Sequence, residues 1–428
     1  MKRHILQLLL IGIIAGSNAA AQINCSNGPT RQPLVCAFPF STGSLANATA
    51  LGTGIQGSSN GAQVVATGLN TAAATQVSQL PLAAASAGSV VTFKSGPNGP
   101  VPVVINDLGP ILTDRAQTVG EHRLFLGFTA SQFVFTDIDG NGLSNLKWSY
   151  LRSAFDSNHN LQSNTYTQED VILSFRINQF VSVATFGVTK KLDGTIVIPV
   201  DRISVNSTTT NIKNTVLDPN NNVVFTYTGA PIRAAGTASG IGDVVLNLKY
   251  KVQEWERDAI AISGNLRMPS GDAFNFLGSN SWGLNPVLLY SHAGKFSPHM
   301  KVGYQWNTPS QLNNPSNAFR GKQTLPGGLQ YNVGFDYGRK RFTFVADLLG
   351  NQFQNVTKLV KQQVILANNL TLDTTTTVSS TYTISNLSTG VKWGPKGGLV
   401  FSANLLSQIN NVGLRSRPTP MLGIAYRF

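Results

Sequence analysis

The sequence predicts an all-β protein, an antiparallel transmembrane β-barrel of about twelve strands. Three observations predict it: an alternating strand at the C-terminus, a rhythm of short turns and long loops from residue 121 onward, and a low content of charge. Along Met421–Phe428, Leu422, Ile424, Tyr426 and Phe428 fall on one face, and Met421, Gly423, Ala425 and Arg427 on the other. A soluble protein seldom exposes an apolar-faced edge strand, whereas a closed barrel has no edge and lipid accepts its apolar face. Charged residues make up 12% of the chain, against about 25% in ordinary soluble domains. After the N-terminal stretch no apolar run reaches the roughly 18 residues of a membrane-spanning helix, so strands have to do the crossing.

The N-terminus reads as a signal peptide over residues 1–21. Lys2, Arg3 and His4 form a basic start, Ile5–Ala15 is apolar, and Ala19-Ala20-Ala21 supplies the small residues of a cleavage site. The mature chain is therefore exported. Cys25 and Cys36 are the only cysteines, and in an oxidising compartment they read as a disulfide pair. Residues 22–120 are irregular, rich in Ala, Ser, Gly, Thr and Asn, with a Pro-rich stretch at 96–110. Such a segment is a poor candidate for a compact core. It reads either as a periplasmic extension or as a plug folded into the barrel lumen, with Leu108, Pro110, Ile111 and Arg115 the candidate plug residues.

The barrel is expected over residues 121–428. Strands are predicted near 121–135, 168–178, 180–190, 241–252, 257–268, 284–293, 297–307, 328–338, 340–350, 382–394, 397–407 and 418–428. Short turns alternate with long loops at 136–167, 191–240, 269–283, 308–327, 351–381 and 408–417. Short periplasmic turns, long outer loops and an even strand number are the pattern of outer-membrane barrels. A hairpin from Ile196–Val200 and Val223–Tyr227 would raise the count to fourteen. Strand alternation sets lipid-facing Val244, Leu246, Leu248 and Tyr250 against Val245, Asn247 and Lys249. Tyr304 and Trp306 near one rim and Tyr250, Tyr337 and Trp393 near the other suit interfacial girdles.

The chain's last residues resemble the terminal assembly signal of bacterial outer-membrane barrels, with Tyr426 and Phe428 as its aromatics. That resemblance implies the barrel-assembly machinery, outer-membrane lipid and lipopolysaccharide as partners, and the bacterial outer membrane as location. Gly240–Tyr250, reading GIGDVVLNLKY, resembles the Gly-x-Gly-Asp-x-x-Leu-x-x-Lys-Tyr stretch of an outer-membrane family associated with the meta-cleavage pathway of phenol degradation. Leu266–Gly271 extends the likeness. That family is similar in outline to the long-chain fatty-acid outer-membrane transporters, although their Asn-Pro-Ala hatch signature is absent here. The resemblance implies passage of small hydrophobic or aromatic compounds. Loop residues Phe274, Phe276, Leu277, Trp282 and Phe319 are candidates for capturing them.

By alternation, Arg176, Asp243, Lys249, Lys251, Arg267, Lys301, Asp336, Arg341, Asp347, Lys392 and Arg427 should face the lumen, because ionisable groups at membrane depth need water or partners. Other chemistries are disfavoured. Asp137–Gly142 matches the start of a calcium loop, but Trp148 stands where the closing carboxylate belongs, so a tight turn is the better reading. Ser291 and His292 point to opposite faces of a strand and cannot form a catalytic pair. No enzyme activity, cofactor or metal is expected, and nothing suggests nucleic-acid binding. The function expected is an outer-membrane channel for passive uptake of small hydrophobic or aromatic compounds. The net charge of +13 keeps open a general or anion-preferring porin, and the Ser/Thr/Asn-rich loops an adhesive surface barrel.

Overall fold

A computed structural model describes residues 33–38, 61–80, 91–96, 99–104, 112–156, 158, 160–312, 323–366, 369–395 and 398–428. The signal peptide, Cys25, Leu108, Pro110, Ile111 and Phe319 lie outside the described residues. Twelve strand positions close into one antiparallel barrel. They are β1 (Leu124–Ile138), β2 (Leu161–Gly187), β3 (Leu192–Leu217), β4 (Ile232–Ile241 and Val245–Glu254), β5 (Asp258–Arg267), β6 (Gly283–His292), β7 (Phe296–Asn307), β8 (Gly328–Arg339), β9 (Phe342–Ile365), β10 (Thr371–Trp393), β11 (Leu399–Gln408) and β12 (Thr419–Arg427). β12 closes on β1 with Met421 opposite Ser131 and Arg427 opposite Phe125. Phe428 N–H donates to the Leu124 carbonyl at 2.9 Å.

The twelve strands match the expected number but not all of the expected boundaries. Residues 168–178 and 180–190, predicted as two strands about a turn at Asn178-Gln179, are one continuous β2. Asn178 accepts a cross-strand hydrogen bond from Gln132 at 2.8 Å, and Gln179 is buried inside, so neither residue turns the chain. The real turn follows Gly187, where the Thr189 hydroxyl accepts from the backbone N–H groups of Lys191 and Leu192. The predicted loop 191–240 is mostly β3 and the upper half of β4. Ile196–Val200 is a stretch of β3, and Val223–Thr228 is a short strand laid against its tip, so no fourteenth strand arises. Asp137–Gly142 is a tight hairpin turn with Asp139 and Gly140 at positive φ, as expected.

The outer wall explains why the sheet tolerates a membrane. Every strand presents large apolar side chains outward, among them Phe128, Phe180, Leu248, Ile262, Leu288, Val333, Phe344 and Leu422. Leu422 is 63% exposed and Leu248 62%. A continuous apolar belt of this kind is far larger than the few hundred Å² tolerated on soluble monomers. Lipid is its natural solvent, and closure satisfies the backbone where no water reaches. Rings gather at the periplasmic rim, where Trp393 stacks on Phe401 at 5.5 Å and Tyr426 meets Phe428 edge-on at 4.6 Å. Tyr304 and Trp306 pair at 4.8 Å on the opposite rim. A closed sheet with such a belt and such rims is the architecture of a transmembrane β-barrel.

β2, β3, β9 and β10 run well past the roughly 9–11 residues a bilayer requires. Their extensions rise outside the membrane and meet. The strand Leu146–Phe155 pairs along β2, and the Tyr166 hydroxyl donates to the Asp373 carbonyl at 2.8 Å. Tyr166, Leu217 and Leu372 form a small apolar cluster beneath this arch.

The terminal ring contact and the Phe428–Leu124 hydrogen bond seal the seam between first and last strands. Deleting Phe428 is expected to lower the amount of barrel inserted in outer membranes several-fold. Heat-modifiable migration on gels and membrane fractionation would read this, and wild-type insertion of the shortened chain would contradict it.

Candidate lumenal site

The interior is filled, and the N-terminal region fills it. A helix, α1 (Gly61–Val77), packs against the inner faces of the upper barrel, and a 3-10 turn (Leu34–Cys36) sits beside it. Sequence reasoning gave residues 22–120 no helix. α1 carries no charge and buries Val65, Ala66, Leu69, Asn70, Thr71, Ala73, Ala74 and Thr75, which point in several directions. A helix buried on most sides has no amphipathic period to detect, and only the Ala-rich run hinted at it. Asn70 donates from Nδ2 to the Val35 carbonyl at 3.1 Å, tying helix to turn. Leu34 N–H donates to Asn275 Oδ1 at 3.1 Å, tying the turn to an outer loop.

The wall answers with apolar side chains of its own. Inside β1 and β2, Phe133, Phe135, Val171, Leu173, Phe175 and Ile177 face inward. A chain of rings runs from Phe38 to Phe276 (6.1 Å), Phe175 (6.1 Å), Phe135 (5.0 Å) and Phe133 (6.5 Å). This corrects two expectations. Phe276 and Leu277 are buried core residues rather than exposed capture groups, while Trp282 is exposed at the rim and Phe274 half-buried. Arg176 points outward, because in β2 the odd-numbered apolar residues turn toward the filled lumen. Arg176 is exposed on the outer face of β2, opposite Val134 of β1 and Ser204 of β3.

Below the helix, residues 112–119 cross the lumen as a strap. Arg115 is 1% exposed and its guanidinium pairs with Asp336 at 2.5 Å. Lys249 donates to the Arg115 carbonyl at 3.1 Å and to Asp114 Oδ1 at 3.3 Å, and faces Asp193 at 3.7 Å. Ala116 N–H donates to Ser291 Oγ, Val119 N–H to Asp193, and Arg427 to the Val119 carbonyl, each within 3.0 Å. His299 stands between Asp347 at 2.7 Å and Asp336 at 3.5 Å. The strap is thus fastened to five strands by buried charge and backbone. Gly187 lets it enter, since a Cβ there would overlap the Gly120 carbonyl.

The other residues expected to face inward are distributed as follows. Asp243 sits at the break in β4, accepting from Ser279 and facing Arg267 at 3.6 Å. Arg267 donates to the Ser78 carbonyl at 2.7 Å and to Asn307 at 2.9 Å, so it binds the helix's end to the wall. Lys301 faces the lumen. Asp347 and Lys392 are buried on the inner face, and Lys251 pairs with Glu254 at the periplasmic rim. Arg427 is half-buried on the inner face. Arg341 is a third correction: it lies exposed in the turn between β8 and β9, because that turn is only two residues long and β9 begins at Phe342. Cys36 is buried in the 3-10 turn. Ser291 and His292 face opposite ways, the first toward the strap and the second toward Asp258.

Between α1 and the strap lies a cavity of about 230 Å³. Its apolar lining includes Leu80, Leu112, Phe133, Val287, Leu289 and Leu349. Its polar lining is mainly amide: Gln79, Asn247, Asn265, Asn285, Gln305, Gln330 and Asn332. Sequence reasoning assigned the strands carrying these amides but not the cavity, since the residues come from separate strands and from α1.

No curated protein matches the chain. Solved structures align with low scores. An outer-membrane channel from Pseudomonas putida F1 aligns over 73% of this chain and 98% of its own at 12% identity and TM-score 0.43. A Pseudomonas aeruginosa FadL homologue aligns over 71% and 88% at 9% identity and TM-score 0.29. The Ralstonia pickettii toluene transporter TbuX aligns over 72% and 89% at 12% identity and TM-score 0.25.

Two predictions follow from the buried charges. Arg115→Ala removes the buried guanidinium that pairs with Asp336, which costs about 3–5 kcal/mol of strap docking. Conductance in planar bilayers should rise above wild type, and unchanged conductance would show that the strap does not need the pair. In the outer arch, burial pushes the Glu169 carboxyl up from 4.5 to about 8, against the pull of the Tyr150 hydroxyl and the Arg152 charge. Below pH 4.5 the group is protonated whether the arch is closed or open; above that only the open form releases the proton readily. Arch stability should therefore fall as pH rises from 4.5 to about 8 and then level off. Hydrogen exchange at residues 146–171 would measure this, and Glu169→Gln should flatten the profile.

From β2 to the start of β9, over residues 163–345, the chain matches the family model described as "Putative MetA-pathway of phenol degradation", the family that its β4 sequence resembles.

Proposed function

We propose that this barrel is a passive outer-membrane channel for small hydrophobic or aromatic compounds. The observation that carries the reading is the line of buried rings from Phe38 to Phe133, which ends at the wall of the 230 Å³ cavity. A general porin keeps a wide polar lumen. Here apolar side chains of α1 and of the wall occupy the upper lumen, and the strap crosses the lower part. Aromatic solutes interact well with ring faces and edges, and apolar pockets with a few fixed polar groups are the usual form of small-molecule sites. Hydrocarbons cross a lipopolysaccharide-covered leaflet slowly, which gives such a path its use. The matched family's description, which names phenol degradation, agrees with this class of solute.

On the same reading residues 1–21 are the export signal, Cys25 and Cys36 pair in the oxidising periplasm, and the barrel-assembly machinery inserts the chain through its Tyr426–Phe428 end. Residues 112–119 and α1 act as the plug through whose margins solute moves.

The test compares two solutes. Cells carrying the barrel should take up radiolabelled toluene several-fold faster than a deletion strain, while proteoliposomes should swell little in arabinose. Rapid swelling in arabinose together with unchanged toluene uptake would replace this reading with that of a general porin.

A further inference from the structure

We propose that the mid-lumen cavity is a binding site for single-ring aromatic carboxylates, with Lys301 as the anchor of the carboxylate. The inference rests on the channel reading and specifies the solute class. Four charged side chains line the cavity: Arg267, Arg415, Lys301 and Asp114. Three of the four are engaged. Arg267 is held by the Ser78 carbonyl, Asn307 and Asp243. Arg415 donates to the Ser385 carbonyl and Asn386 Oδ1. Asp114 accepts from Arg115 N–H at 2.9 Å and from Lys249. Lys301 makes no hydrogen bond or ion pair among the described residues; the Asp114 carboxylate, which Lys249 already holds, acts on it only through space. It sits mid-strand in β7 between Leu289 of β6 and Asn332 of β8, facing the cavity. An ammonium at membrane depth without a partner is costly unless something in the lumen pairs with it.

The remainder of the lining fits the other parts of such a solute. Phe133, Val287, Leu289 and Leu349 supply an apolar side. A volume of about 230 Å³ suits one substituted ring, since a cavity of about 150 Å³ holds benzene. Beside these residues stands a row of amides that fix one another. Asn247 donates to Asn265 at 2.8 Å, Asn265 to the Asn285 carbonyl at 3.3 Å, and Gln330 to Gln79 of the plug at 2.9 Å. Buried oxygens of Asn247 and Asn285 and the buried Nε2 of Gln79 have no partner. These amides accept or donate hydrogen bonds without adding a negative charge beside Lys301. A ring bearing a carboxylate uses both the apolar and the polar lining, whereas a plain hydrocarbon leaves the lysine without an ion pair and a sugar leaves the apolar lining wet.

Binding of benzoate and of its neutral isostere benzamide to the purified full-length barrel, measured by titration calorimetry at neutral pH, tests the proposal. Wild type should bind benzoate about tenfold or more tighter than benzamide, the range a charge-assisted hydrogen bond provides. Lys301→Met should abolish that preference while keeping benzamide affinity, and Lys301→Arg should restore it. Heat-modifiable migration would establish that each variant is a folded barrel. An unchanged preference in Lys301→Met, or equal binding of the two compounds by wild type, overturns the proposal and leaves the channel reading standing. Binding of neither compound overturns the proposal, and failure of toluene uptake in the separate flux assay overturns the channel reading.

Discussion

Closure of the sheet is the constraint on which everything else in this molecule depends. A strand in lipid has no water to satisfy its N–H and C=O groups, so each must find them in a neighbour. The β12–β1 seam completes that ring, with Arg427 opposite Phe125 and the last amide bonded to Leu124. Once the ring is complete, the outer face is free to be apolar on every strand. The enclosed space also becomes a compartment whose chemistry is decided separately from that of the wall's outside.

That compartment has two chemistries stacked along the barrel axis. In the upper part, α1 and the 3-10 turn bury Val65, Leu69 and Phe38 against Phe133, Phe135 and Phe175, as in the core of a soluble protein. In the lower part, residues 112–119 are held by Arg115–Asp336, Lys249 and Asp193, with His299 and Asp347 alongside. Hydrophobic burial is non-directional and fixes the helix in place. Buried ion pairs are directional and fix the strap in register, because a displaced charge would be left unpaired in a medium that cannot solvate it. The cavity lies where these two regimes meet, which is why its lining is mixed.

Outside the membrane the long hairpins β2–β3 and β9–β10 continue past the lipid and lean on one another through Tyr166, Leu217 and Leu372. Their polar, Thr-rich strands need water on one face, so the arch is a separate small structure with its own buried acid, Glu169. Its stability responds to pH independently of the barrel below.

From sequence alone came the barrel, its strand number and most of its lipid-facing residues. All of these rest on period-two alternation and on turn chemistry, which act between neighbours along the chain. The same local rule failed at Asn178-Gln179, where turn-forming residues sit mid-strand and pair across the sheet instead. It failed at Arg176 and for α1 for a different reason. Whether a residue of β2 faces in or out depends on what fills the lumen, and the filling comes from residues about 100 positions earlier in the chain. Lys301 was legible as lumen-facing. That it stands unpaired, beside rings and amides drawn from strands far apart in sequence, was decided only by closing the barrel around the N-terminal segment.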